Sequence, residues 1–172
     1  MIEVILMEVR ILSDSDVEPF RNLRLLALKT NPEAFASTFE RERDFPIERF
    51  LSRLNTDENN FVIGGFIDGD LVCNASFLRR AGEKESHKGI VVAMYCHEDY
   101  RGTGAAKAVM RYLIKRAHAL EGLRKIDLTV VSDNVRAKNF YASLGFKHYG
   151  TEPMALLHDN SYLDEDLMTL IL

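Results

Sequence analysis

Residues Ile90 to Cys96, IVVAMYC, form the longest unbroken apolar run in the chain. Seven residues fall far short of the roughly 20 that an apolar helix needs to cross a bilayer. The β-branched and aromatic content makes the run a strand. A strand with no polar face is expected to be covered on both sides, so it belongs at the centre of a sheet with helices outside it. A short polar link and the turn Arg101-Gly102-Thr103-Gly104 follow. Then Ala105, Ala106, Val109, Met110, Leu113, Ile114 and Ala117 recur at helical spacing on one face, up to about Glu121-Gly122. The chain is built around this strand–turn–helix unit.

The other elements fall into order around it. Glu8 to Leu12 reads as a first strand. Ser15-x-x-Glu18 has the capping-box pattern ahead of a helix carrying Val17, Phe20, Leu23, Leu26 and Ala27, which Asn31-Pro32 ends. Ala34 to Leu54 is a weaker helical stretch broken near Phe45-Pro46. FVIGGFIDGDLVCNASFLRR is a hairpin about Asp68-Gly69, a two-residue turn pair that favours tight reversal. After the signature helix come KIDLTVVS, a helix starting at Asp133-Asn134 and closed by Gly145, and two final strands, FKHYG and LMTLIL. The expectation is a single α/β (α+β) domain over residues 1–172: a mixed, largely antiparallel sheet of about seven strands flanked by about four helices.

Bulk composition excludes several functions. The net charge of -4 provides no global positive field for nucleic acid. The opening MIEVILMEVRIL carries Glu3 and Glu8 and lacks a basic leader, so it reads as a strand rather than a signal peptide. Two cysteines, Cys73 and Cys96, without CxxC spacing, read as reduced thiols of a cytoplasmic protein. The five histidines are scattered, so no metal is expected.

Any anion site must therefore be local, and the turn after the apolar strand offers one. Its glycines permit positive φ and close approach. The helix behind it presents unpaired N–H groups and the positive end of its dipole, a combination that binds phosphates. Arg101 can add a charge-assisted contact. The plain alternative is a tight strand-to-helix turn with no ligand. An NTPase loop, GxxxxGK[ST], is absent. A dinucleotide GxGxxG fails because Lys107 stands where the third glycine belongs.

Arg101-Gly102-Thr103-Gly104-Ala105-Ala106 resembles the [RQ]-x-x-G-x-[GA] signature of the GCN5-related N-acetyltransferases (GNAT family). Downstream, NVRAKNFYASLGF is similar to that family's N-x-x-A-x-x-x-Y-x-x-x-G-F helix, with Asn134, Ala137, Tyr141, Gly145 and Phe146 in register. The motif likeness is strong from about Ile90 to Tyr149. The resemblance implies acetyl-CoA as co-substrate, a primary amine on a small molecule or protein N-terminus as acceptor, and direct attack in a ternary complex. It places the coenzyme on Arg101, Gly102, Thr103, Gly104, Ala105, Ala106 and Lys107, on the backbones of Met94 and Cys96, and on Asn134, which also caps its helix. It makes Tyr141 the general acid, since a phenol of pKa about 10 holds its proton at neutral pH. A homodimer is common in similar proteins, and the sequence leaves the oligomeric state open. The rival readings are a non-catalytic acyl-CoA sensor on the same fold and a nucleotide-binding oxidoreductase.

The base is not fixed by sequence. Some family members carry a glutamate on the strand that here reads GIVVAMYC, and this chain has none there. Glu83, Glu85, His87, Glu40, Glu42, Asp44, Glu165 and Asp166 are all candidates, each read first as a solvated charge. Cys96 reads as a small apolar filler, with His97 on the opposite face of the strand. The acid-rich segment Glu33 to Glu48 either covers the core or lines a site for a cationic amine such as a polyamine or aminoglycoside.

Overall fold

The computed structural model describes residues 7–172; the expectation for the segment before Met7 lies outside the described residues. Seven strands form one sheet: β1 (Met7–Ile11), β2 (Asn60–Ile67), β3 (Asp70–Arg79), β4 (Lys88–Cys96), β5 (Lys125–Val131), β6 (Lys147–His158) and β7 (Ser161–Ile171). Their order is β1-β2-β3-β4-β5-β7-β6. Only β4 and β5 run parallel; the other neighbours are antiparallel. The helices are α1 (Val17–Thr30), α2 (Phe39–Glu42), α3 (Ile47–Leu54), α4 (Ala105–His118) and α5 (Val135–Ser143). The break expected near Pro46 divides α2 from α3.

Two apolar layers hold the sheet between them. Period-2 alternation along β2 sends Phe61 and Ile63 to one face and Val62 and Phe66 to the other. The first face packs against Val109, Met110 and Leu113 of α4. The second packs against Phe20, Leu23 and Ala27 of α1 and Phe50 of α3. Each fully buried side chain of this size contributes about 2 kcal/mol. Asp68 and Gly69 have φ of 52° and 91°, the left-handed pair that a two-residue hairpin turn requires.

Two expectations are corrected. The capping box lies two residues earlier than Ser15–Glu18, at Ser13 and Asp16: the Ser13 amide donates to Asp16 Oδ2 at 2.8 Å. Asp16 is also gripped by Arg10 through two 2.7 Å hydrogen bonds. The apolar strand β4 is not covered on both faces. Val92, Ala93 and Met94 are only half-buried and line a cleft.

That cleft follows from two departures from regular sheet. The β4–β5 ladder stops after Ile90↔Asp127, while β5 continues to Val131 beside β7. The two parallel strands splay beyond that point. Within β4, two residues oppose the single Ala75 between the pairs Asn74↔Tyr95 and Ser76↔Val92. Ala93 takes φ of 52° at this bulge, and the buried Asn74 side chain donates to the Ala93 carbonyl at 3.2 Å. A bulge bends its strand and re-aims the amides beside it.

Candidate active site

The splay opens a cavity of about 1050 Å³ running across the molecule. One end is built from the C-terminal part of β4, the turn before α4, and α5. The other is built from α1, α3 and the segment that joins α1 to α2.

At the first end the turn has the predicted conformation. Gly102 and Gly104 have φ of 78° and 96°, and a methyl group built on either would meet nothing within 4 Å. Glycine is needed there for backbone conformation, and the space before the turn is open. Among the described residues the amides of Gly102, Gly104 and Lys107 have no main-chain acceptor. They remain available to an anion in front of a 14-residue helix. Thr103 serves the turn itself: its hydroxyl donates to the Tyr100 carbonyl at 2.7 Å and accepts from the Ala105 amide at 3.4 Å.

The predicted residues are not all placed alike. Gly102, Ala106, Met94, Cys96, Arg101, Asn134 and Tyr141 line the cavity. Thr103, Gly104, Ala105 and Lys107 stand at or behind its mouth and do not line it. The Arg101 guanidinium is turned inward: Nε donates to the Cys96 carbonyl at 3.1 Å and Nη2 to Asn31 Oδ1 at 2.9 Å. It pins the end of α1 to the end of β4. Asn134 caps α5, its Oδ1 accepting from the Ala137 amide at 3.1 Å. Cys96 faces Cys73 across the ladder. Its thiol is drawn below the usual range by a hydrogen bond from Cys73, with help from Arg101, the Ala106 amide and Arg136. The same contact, with burial, pushes Cys73 up. Cys96 is thus more polar than a plain filler.

Tyr141 is buried against Phe140 and Phe146 in edge-on contacts. Burial raises its phenol above the ordinary value, so the hydroxyl stays protonated across the physiological range. Among the candidate bases, Glu165 alone lines the cavity. Burial raises its carboxyl, against the hydrogen bond from Thr129 and with help from Glu152. Asp166, its neighbour, is tied to Lys138 at 2.6 Å and Ser132 at 2.7 Å. Glu42 is locked by Arg24 and Arg53.

Comparison with known proteins matches this geometry to a family. The Acetyltransferase (GNAT) family profile matches residues 22–146. The chain belongs to the GNAT acetyltransferase family. Relatives described as uncharacterized N-acetyltransferases from Mycobacterium tuberculosis and Mycobacterium bovis are 34% identical over 117 residues, covering 67% of this chain and 71% of theirs. Among solved structures, a GNAT acetyltransferase from Streptococcus pneumoniae superposes with a TM-score of 0.87 at 19% identity, over 97% of this chain and 100% of that one. A Salmonella typhimurium protein, yncA, solved with its cofactor acetyl-CoA, gives 0.84 at 19% identity over 96% and 94%. The seven-stranded GNAT fold is therefore the fold of this protein.

Sequence reasoning missed several residues of this GNAT site. Asn74 sits in an apolar strand, and nothing in its spacing announces the bulge it holds. Arg24, Arg41 and Arg53 come from three different segments that only the fold brings together. An isolated buried-side polar residue such as Asn74 in an otherwise apolar run is the one signal that was available.

Proposed function

We propose that this GNAT protein is an N-acetyltransferase that moves the acetyl group of acetyl-CoA onto a primary amine by direct attack in a ternary complex. The observation that carries the reading is the splay between β4 and β5, with a donor-rich helix mouth at one end and a protonated tyrosine inside. The acetyl-CoA held by the yncA structure of the same fold supports the choice of donor. The reduced state of Cys73 and Cys96 suits a cytoplasmic enzyme.

In this reading the free amides of Gly102, Gly104 and Lys107 hold the coenzyme pyrophosphate. The edge of β4 beyond Ile90, which has no strand partner on the β5 side, receives the pantetheine arm. An amide of the bulged segment near Met94 donates to the oxygen that becomes negative in the tetrahedral intermediate. The amine gives a proton to Glu165, directly or through water, and its nitrogen attacks the thioester carbonyl carbon. The C–N bond forms, the intermediate collapses, and the C–S bond breaks. Tyr141 passes its proton to the departing sulfur, and the second proton shed by the nitrogen as the amide forms returns to the Tyr141 oxygen through water. Cys96 takes no covalent part.

Calorimetric titration with acetyl-CoA and with NAD tests the donor: acetyl-CoA is expected to bind, and binding of NAD alone would sink the reading. An amine-panel screen that detects free CoA with a thiol reagent tests transfer. Coenzyme binding without turnover of any amine would make the protein a sensor.

A further inference from the structure

We propose that the acceptor is a small amine that also bears a carboxylate, as a free amino acid does, and that Arg24, Arg41 and Arg53 hold that carboxylate. This rests on the acetyl-transfer reading above and names its substrate class. All three arginines line the same end of the cavity. Arg24 belongs to α1, Arg41 to α2 and Arg53 to α3. Arg24 precedes Asn31, the contact to the signature turn, by seven residues, about 10 Å along a helix axis. The cluster therefore stands well away from the pyrophosphate end.

Two of these guanidinium groups, those of Arg24 and Arg53, grip one buried carboxylate, Glu42. Glu42 accepts from Arg24 Nε at 3.1 Å and Nη2 at 2.9 Å, and from Arg53 Nη1 at 2.9 Å. Arg24 keeps Nη1 unused, and Arg53 keeps Nε and Nη2. Arg41 has no carboxylate partner among the described residues. Asp57, which lines the cavity, accepts from the amides of Asn59 and Asn60 at 2.7 Å each and keeps its charge, so with Glu42 it offsets two of the three guanidinium charges. The wall is left with surplus positive charge. Arg41, the member without a carboxylate partner, is exposed where it lines the cavity, and its guanidinium, with the spare N–H groups of Arg24 and Arg53, can bind an anion through charge-assisted hydrogen bonds.

The donors are also held in place. Arg24 lies 5.0 Å over the Phe35 ring, Arg53 5.3 Å over Phe50 and Arg41 6.0 Å over Phe45. Planar guanidinium groups so stacked form a fork suited to a carboxylate. Across the cavity Glu165 is the carboxylate available to the amine. An amino-acid-like molecule satisfies both walls, anion toward the arginines and amine toward Glu165. The acid-rich Glu33 to Glu48 segment does not make a cation site: Glu33, Glu40, Asp44 and Glu48 do not line the cavity, and Glu42 is neutralised.

The test compares matched acceptors: L-amino acids, their carboxamides, the corresponding decarboxylated amines, and spermidine. Carboxylated amines are expected to show kcat/KM about 100-fold above their carboxamides or decarboxylated partners, since a site built for a charged hydrogen-bonding group discriminates strongly. Arg41→Ala, which breaks no ion pair in the fold, is expected to raise the acceptor KM about 10-fold and leave the acetyl-CoA KM and the thermal midpoint unchanged. Equal or better turnover of spermidine or the carboxamides overturns the proposal. So does an Arg41→Ala variant in which only the acetyl-CoA KM moves, or coenzyme binding with no carboxylated amine accepted. Calorimetry with acetyl-CoA on the same samples separates the two readings: if the coenzyme itself does not bind, the transfer reading falls first.

Discussion

Tyr141 and Glu165 line one cavity and are perturbed in the same direction by burial, yet the acetyl-transfer proposal gives them opposite roles. The phenol is pushed further above neutral pH and stays an acid. The carboxyl is raised from its ordinary 4.5 by burial, toward the range in which a general base works best. The pH profile of kcat/KM is therefore expected to rise through an acidic limb above the ordinary carboxylate value, then hold a plateau well into the alkaline range. Glu165→Gln should remove the acidic limb. Tyr141→Phe should lower kcat about 100-fold and shift the alkaline limb, with the circular dichroism spectrum unchanged; an unshifted limb takes Tyr141 out of the acid role. Asn74 acts through β4 rather than on substrate. Asn74→Ala removes the hydrogen bond that holds the Ala93 bulge and leaves the half-buried Ala93 carbonyl without that partner. A loss of about 1–2 kcal/mol in urea unfolding is expected, with a raised KM for acetyl-CoA.

At the scale of elements, Glu42 ties α1, α2 and α3 together, because its two partners come from the first and the third. Burial opposes its ionisation, but the hydrogen bonds from Arg24 and Arg53 win and hold its pKa at about 2. A depressed folded pKa contributes stability above the unfolded value, and that contribution is lost as pH falls from about 4.5 toward 2. Glu42→Gln is expected to cost about 3 kcal/mol at pH 7, since it leaves two guanidinium groups without their counter-charge. It should also flatten the stability profile between pH 4.5 and 2; an unchanged slope there rules out this carboxylate as its source. The ionic tie was not legible in the sequence, where Glu42 is one acid among several in a charged helical stretch. The elements were legible, because their signals are local: apolar period in α1 and α4, the Asp68-Gly69 turn, the glycines of the signature. The cleft was half legible. The turn and Tyr141 stood in motifs, but the strand splay and the bulge depend on what β4 pairs with, which no local pattern encodes. For the same reason the apolar content of β4 suggested cover on both faces, when part of it lines a cavity.

Among the described residues, β6 forms one edge of the sheet, with no strand beyond it. β6 is the last strand in the order and is 12 residues long, about twice the usual strand length. A long edge strand with unpaired amides is a template for another chain unless charge or a helix guards it. Here the guard is thin. Tyr149, Met154 and Leu157 on β6 and Tyr162 on β7 are each more than half exposed, and Leu157 and Tyr162, direct cross-strand partners, form an apolar patch beside this edge. The β6–β7 pair also supplies Glu165, which couples that surface to the cavity through a single strand. The expected outcome is a homodimer formed through this hairpin, seen as twice the chain mass in light scattering at micromolar concentration. Leu157→Lys should shift it to monomer, because an ammonium placed at that surface loses its hydration without a partner. A monomeric wild-type protein, or a Leu157→Lys variant that stays dimeric, would place the contact elsewhere or remove it. If the dimer forms as expected, the monomeric variant should also bind acceptor more weakly than acetyl-CoA, since only the acceptor wall includes β7.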